Sequence, residues 1–151
     1  MSEAPDRQPR TTTYRHRVRY LEVDQQGVVF NMWYLGYFDE AMADFLAEGG
    51  LPYQDMLASG HDVQLVHTEI DWRSSLCWAD DATVEVSLAS VGATSFSLRF
   101  AVHSGETLVA EGLTVYVVVA TDGSGKKPIP ATIRAALGPE PNGGSPQPDR
   151  Q

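Results

Sequence analysis

A chain of 151 residues with one cysteine and a net charge of −9 is the size of a single domain, long enough to bury a core without disulfides. An acidic balance of this kind, with a pI near 4.7, argues against a nucleic-acid-binding surface, which needs a basic stripe. No apolar run reaches the length of about 18 residues that a membrane span needs, the polar start MSEAPDRQPRTTT has no signal-peptide core, and Cys77 has no internal partner, so the expectation is a cytoplasmic protein with no membrane or nucleic-acid partner.

Residues 1–11 are rich in proline and charge and read as a tail. From Thr12 to Val23 the residues Tyr14, His16, Val18, Tyr20 and Leu21 are interleaved with Arg15, Arg17, Arg19 and Glu22, a pattern that predicts a half-buried strand. A polar turn follows, with Asp24 at its head and Gly27 where the backbone can bend. Val28-Val29-Phe30 is an apolar connector, and Asn31 suits a helix start. Tyr34, Phe38, Ala41, Met42, Phe45 and Leu46 then recur at three- and four-residue intervals. They predict a helix over Tyr34–Glu48, ~22 Å long at 1.5 Å per residue, halted by Gly49-Gly50.

Tyr53–Ser59 suggests a short second helix. Four alternating segments follow: His61–Trp72, Ala82–Ser90, Ser95–His103 and Thr107–Thr121, joined by short turn-rich connections. Gly112, inside the last of them, marks a bulge or a close backbone approach. Within that segment Thr114–Val119 reads as an apolar edge in need of cover. Lys126–Leu137 has room for one helical turn, and residues 138–151 form a second tail by composition. The order predicts an α+β domain over residues 12–137. Short connections make its sheet antiparallel, with about five strands wrapped round the one long helix.

Asp24 is a candidate acid or base, and equally a turn-forming residue. Asp39 on the helix is a candidate base or a solvated charge. Trp33, Tyr34 and Tyr37 are pocket lining or core. His16, His61, His67 and His103 are scattered without metal-ligand spacing, so no metal site is expected. Cys77 has no visible activating neighbour, and the nucleophile-elbow motif of α/β-hydrolases is missing.

The run Asp24-Gln25-Gln26-Gly27-Val28-Val29-Phe30-Asn31, followed by Trp33-Tyr34-Leu35-Gly36-Tyr37-Phe38-Asp39, resembles the hotdog-fold acyl-thioesterases, in particular the 4-hydroxybenzoyl-CoA thioesterase-like branch. Members carry the Asp-x-x-Gly turn, an apolar pair, an aromatic residue, His or Asn, and then an aromatic-rich helix with an acid on it. Many also carry a second acid two residues before the aspartate, where this chain has Glu22. The resemblance covers about Tyr14 to Leu137. It implies hydrolysis of acyl-CoA or acyl carrier protein thioesters, with CoA or phosphopantetheine entering only as part of the substrate. Asp24 would act as nucleophile or general base beside Gly27. The Asn31 amide would face the thioester oxygen, and Asp39 is a secondary acid. It further implies substrate contacts from Trp33, Tyr34 and His67, a cofactor-facing turn at Thr94-Ser95, and a homodimer or homotetramer with the site at a subunit boundary. The 90–95 loop carries no Lys or Arg. A non-catalytic acyl-binding module is the alternative. A hydratase is disfavoured because no histidine lies in the turn-helix segment.

Overall fold

The structure is a computed structural model that describes residues 9–141. Its elements in chain order are strand β1 (Thr11–Arg17), a 3₁₀ turn (Tyr20–Glu22), helix α1 (Trp33–Glu48), helix α2 (Tyr53–Ala58), strands β2 (His61–Trp72), β3 (Asp81–Val91), β4 (Ser95–Ser104) and β5 (Thr107–Ala120), and helix α3 (Ala131–Leu137). The strands form one sheet in the order β1-β3-β4-β5-β2, every neighbouring pair antiparallel. Helix α1 lies across one face. This is the α+β, five-stranded arrangement the sequence predicts.

The core follows from two periodicities meeting. Tyr34, Tyr37, Phe38, Ala41, Met42, Phe45 and Leu46 form the buried stripe of α1. Ala82, Val84, Val86 and Leu88 from β3 and Phe96, Leu98, Phe100 and Val102 from β4 face it. Phe38 stacks on Phe100 with ring centroids 4.4 Å apart and planes 10° from parallel. Burying each such ring contributes about 1.5–3 kcal/mol. The backbone of Gly112 on β5 passes directly beneath Phe38: a Cβ there would lie 2.5 Å from the ring. Gly112 therefore marks a close approach, the second of the two readings its position allowed. The bulges fall elsewhere, between Leu65 and His67 on β2, between Leu88 and Ser90 on β3 and between Val102 and His103 where β4 meets β5.

Four expectations change. The first strand stops at Arg17, and Tyr20–Glu22 coils into a 3₁₀ turn. The cause is Glu22, whose carboxylate turns back onto the Arg19 backbone N–H at 3.0 Å and the Arg19 Nε at 2.9 Å. The helix begins at Trp33 with Met32 as its N-cap and no side-chain cap, so Asn31 precedes the cap and does not fill it. Thr114–Val119 is not an edge, because β5 is hydrogen-bonded on both sides, to β4 and β2; its apolar run belongs to an interior strand. The edges are β1 and β2.

The fourth concerns the tails. Residues 1–8 and 142–151 lie outside the described residues, but the nearer parts of both expected tails are anchored. Arg10 donates to the carbonyls of Phe45, at 2.9 Å, and Ala136, and its guanidinium sits 4.1 Å from the Phe45 ring centroid. Glu140 accepts a hydrogen bond from the Val91 N–H at 3.2 Å. Among the described residues, no helix is long and apolar enough to cross a membrane.

Candidate active site

Asp24 stands at the head of a tight turn between the 3₁₀ turn and α1. Its Oδ1 accepts the Gln26 N–H at 2.8 Å. Its carbonyl accepts the Gly27 N–H at 3.0 Å, and its own N–H donates to Val28 at 2.9 Å. Gly27 has φ +78°, a left-handed conformation open to glycine at little cost. The two arms of the turn are tied to their surroundings: Phe30 N–H donates to the Glu22 carbonyl and Val29 N–H to that of Leu76. The first backbone bond of the coming helix is donated by Trp33, to Phe30 at 3.0 Å, and the next by Tyr34, to Asn31 at 3.4 Å. The amides of Asn31 and Met32 thus precede the first helical bond, at the positive end of the helix dipole.

Beneath this turn lies a polar cluster that the sequence reading left unassigned. Glu22 is 1% exposed. Besides its two bonds to Arg19, it accepts from the Tyr37 hydroxyl at 2.7 Å and the His16 Nε2 at 2.8 Å. With its proton on Nε2, His16 accepts the Tyr14 hydroxyl at Nδ1, 3.2 Å away. Burial pushes the Glu22 carboxyl up, but the donors from His16, the Arg19 backbone, Tyr37 and the Arg19 guanidinium together outweigh it and hold the group down at about 2. Burial, and then Glu22 itself, push the Tyr37 phenol well up. The available signal was the spacing of His16, Arg19 and Glu22 at three-residue intervals, which brings all three together only once the chain coils.

The two flanks of α1 carry different cavities. On the β1 flank, one of about 490 Å³ is bordered by Arg17, Arg19, Glu22, Trp33, Tyr37 and Glu40. On the β2 flank, one of about 300 Å³ is bordered by Asp39, Met42, Tyr53, Asp62, Leu65 and Tyr116. There the Tyr116 hydroxyl donates to Asp39 at 3.3 Å. Burial raises the Asp39 carboxyl, with Tyr116 pulling the other way. Tyr116 is the one residue of the TVYVVV run with a hydroxyl at the end of a long inward-facing side chain, a signal hidden among its apolar neighbours.

The other predicted residues divide. Trp33 opens α1 and lies 5.8 Å beneath the Arg19 guanidinium. Tyr34 is 1% exposed and packs edge-on against Trp72 at 5.9 Å, so within one chain it is core. His67 points to the sheet face away from α1: it pairs with Val115, whereas its neighbour Thr68 pairs with the buried, inward-facing Thr114. The bulge after Leu65 shifts the alternation and turns His67 outward, where its Nε2 meets Glu69 at 2.9 Å. Thr94 and Ser95 lie beyond the far end of β3, whose near end at Asp81 pairs with Arg17. Ten residue steps along that strand cover ~33 Å at 3.3 Å per residue. One chain therefore does not bring Thr94-Ser95 to Asp24. Among the described residues, no three His, Cys, Asp or Glu side chains gather in a way that could hold a metal ion.

With this geometry in place, comparison with known proteins is direct. A 1,4-dihydroxy-2-naphthoyl-CoA hydrolase of Nostoc punctiforme is 24% identical over 122 residues, covering 80% of this chain and 82% of that protein. The solved structure of a gentisyl-coenzyme A thioesterase superposes with a TM-score of 0.77 at 25% identity, covering 83% of this chain and 99% of that one. A 1,4-dihydroxy-2-naphthoyl-CoA thioesterase from Synechocystis gives 0.75 at 26% identity, covering 84% and 95%. The family model described as the thioesterase-like superfamily matches residues 18–137. That span runs from the end of β1 to the end of α3, and the chain belongs to the thioesterase-like superfamily.

Proposed function

We propose that this thioester hydrolase cleaves acyl-coenzyme A, with an aryl acyl group as the leading candidate, to the free acid and the thiol. The relatives named for naphthoyl and gentisyl thioesters support the aryl choice; an acyl carrier protein thioester is the other carrier to test. The observation that carries the reading is the shared turn. Asp24 and the amides of Asn31 and Met32 belong to one tight segment, pinned at Phe30 and Val29, so a carboxylate and unspent N–H donors are held close in sequence and rigid in space.

Hydrolysis needs an oxygen nucleophile and a home for the developing oxyanion. Asp24 supplies the first by taking a proton from water, or by attacking the carbonyl carbon itself to give an anhydride that water then opens. In either case the carbonyl oxygen gains negative charge, the C–S bond breaks as the tetrahedral adduct collapses, and the departing sulfur is protonated. The Asn31 amide at the helix start is the oxyanion donor, a role worth about 3–4 kcal/mol per well-placed group. Asp39, next to Tyr116, is the second acid for positioning water.

Binding without turnover has its own supporting observation: Oδ1 of Asp24 is already engaged by Gln26, as in any turn-forming aspartate. A panel of acyl-CoA and acyl carrier protein thioesters, assayed with a thiol trap, separates the two. Asp24→Asn should lower kcat by about 10²–10⁴-fold with the fold intact, and unchanged hydrolysis in that variant would remove Asp24 from the mechanism.

We infer that chains pair along β2. This 12-residue edge leaves Leu65 and Val66 44% and 56% exposed, beside the Asp39 cavity, and a second copy would cover both. The lone Cys77 is exposed, which suits the reducing cytoplasm.

A further inference from the structure

We propose that Glu22 is a positioning residue for thioester cleavage: it sets the placement of the Asp24 carboxylate against the Asn31 amide without touching the substrate. The proposal rests on the thioester-hydrolase reading and adds a residue to that site.

The backbone comes first. The segment that carries both reacting groups is a small hairpin. Asp24 N–H donates to the Val28 carbonyl at 2.9 Å, Val23 and Val29 bridge, and Phe30 N–H donates to the Glu22 carbonyl at 2.9 Å. Glu22 and Phe30 therefore close its base. Asp24 stands two residues along the outgoing arm, and Asn31 is the first residue past the returning one. Asn31 runs on into α1, whose first bonds are accepted by the carbonyls of Phe30 and Asn31, while Asp24 lies across the hairpin from it. Shifting the base against the helix would thus move the carboxylate and the amide by different amounts.

The Glu22 side chain holds that base in place. It is 1% exposed and meets the Arg19 backbone N–H, the Arg19 Nε, the His16 Nε2 and the Tyr37 hydroxyl. Arg19 and His16 lie upstream, beside the 3₁₀ turn and on β1. Of these contacts only Tyr37 comes from α1, and its bond of 2.7 Å is the shortest. The Tyr37 ring is itself confined: it is 3% exposed, with the His16 and Tyr34 ring centroids 4.5 and 5.8 Å away. One carboxylate therefore joins hairpin, strand and helix.

A buried ionised group adds little stability over well-packed apolar side chains of the same volume. What it does supply is direction, because charge-assisted hydrogen bonds are short and angle-dependent. Direction matters to the chemistry, where a shift of about 1 Å can lower turnover about a hundredfold.

The test compares Glu22→Gln, Tyr37→Phe and Arg19→Gln with wild type, at a temperature where circular dichroism shows each folded. Tyr37→Phe removes one oxygen from a packed ring and should lower kcat about tenfold, with KM within about twofold. Glu22→Gln should do the same. Arg19→Gln removes a contact that does not reach α1, from a side chain 58% exposed, and should keep wild-type kcat. On an Asp24→Asn background, Tyr37→Phe should cost no more than about twofold, since groups acting as a unit are not additive. Unchanged kcat in Tyr37→Phe and Glu22→Gln would overturn the proposal. So would an equal loss in Arg19→Gln, or the full loss without Asp24, either of which would make the network a support for the fold alone. A wild type that hydrolyses no acyl-CoA or acyl carrier protein thioester would remove the enzymatic reading and the proposal with it, whereas an active wild type with unaffected variants would remove the proposal alone.

Discussion

The hydroxyl of Tyr37, one turn into α1, donates to the Glu22 carboxylate at 2.7 Å, and this bond fastens the central helix to the segment that delivers Asp24. Glu22→Ala would leave Tyr37, His16 and Arg19 facing an empty buried position. Breaking a buried charged network costs about 3–5 kcal/mol, and a denaturant titration should show a loss of that order. Glu22→Gln keeps the shape and should lose less. The pH dependence has a definite sign. The carboxyl is held at about 2 against an ordinary 4.5, so its contribution is complete above 4.5 and drains away as pH falls toward 2. Wild type and Glu22→Gln should differ most near neutrality and converge in acid.

Asp39 works in the other direction. Burial raises its carboxyl above the usual range, so the folded state favours the protonated form. The group helps folding below the ordinary carboxylate range and opposes it once pH rises through the raised value. Asp39→Asn should therefore raise the melting temperature slightly at pH 7, with the difference closing below pH 4. An amide oxygen still accepts the Tyr116 hydroxyl, so any loss of turnover in this more stable variant reports on chemistry.

Gly112→Ala tests the close approach beneath Phe38. The added methyl would sit 2.5 Å from Cε2, and the ring cannot swing aside because it is stacked on Phe100. Overpacking of this kind costs about 1–3 kcal/mol. A shift in unfolding midpoint of that size, with Gly112→Ser no better, is the expected result.

Gly27→Ala meets no neighbour within 4 Å, so its whole cost lies in the φ of +78°. About 1 kcal/mol is expected, with Gly27→Asn recovering part of it, since asparagine tolerates that region. Chemical denaturation of the three proteins would rank them.

Much of this architecture could be read from periodicity. Tyr34 through Leu46 form the buried stripe of α1 as spaced, and β2 begins and ends at His61 and Trp72 as the alternation implies. The failures share a cause: side chains reaching across the fold. Glu22 looked like a strand residue because its pattern fits one, and only its contacts with Tyr37 and His16 explain the coil at Tyr20. Thr114–Val119 looked like an edge because apolar character on both faces does not say which strands lie alongside. The outward turn of His67 could not be read either, because a bulge leaves no mark in a twelve-residue alternation. The Asp24 turn, by contrast, is local chemistry, and its Gly27 and Gln26 contacts follow from the residues at hand.

The irregularity between Leu65 and His67 works as a reading-frame change for one strand. Upstream of it Val63 and Leu65 look toward α1; downstream Thr68 and Ile70 do, while His67, Glu69 and Asp71 look away. Val66 is the residue the ladder skips: drawn into the pairing, it would restore unbroken alternation and invert the second half, driving two carboxylates under the helix and lifting Ile70 into water, whereas deleting it would close the bulge and leave both halves facing as they do. One unpaired residue thus lets two stretches of opposite phase share a single strand.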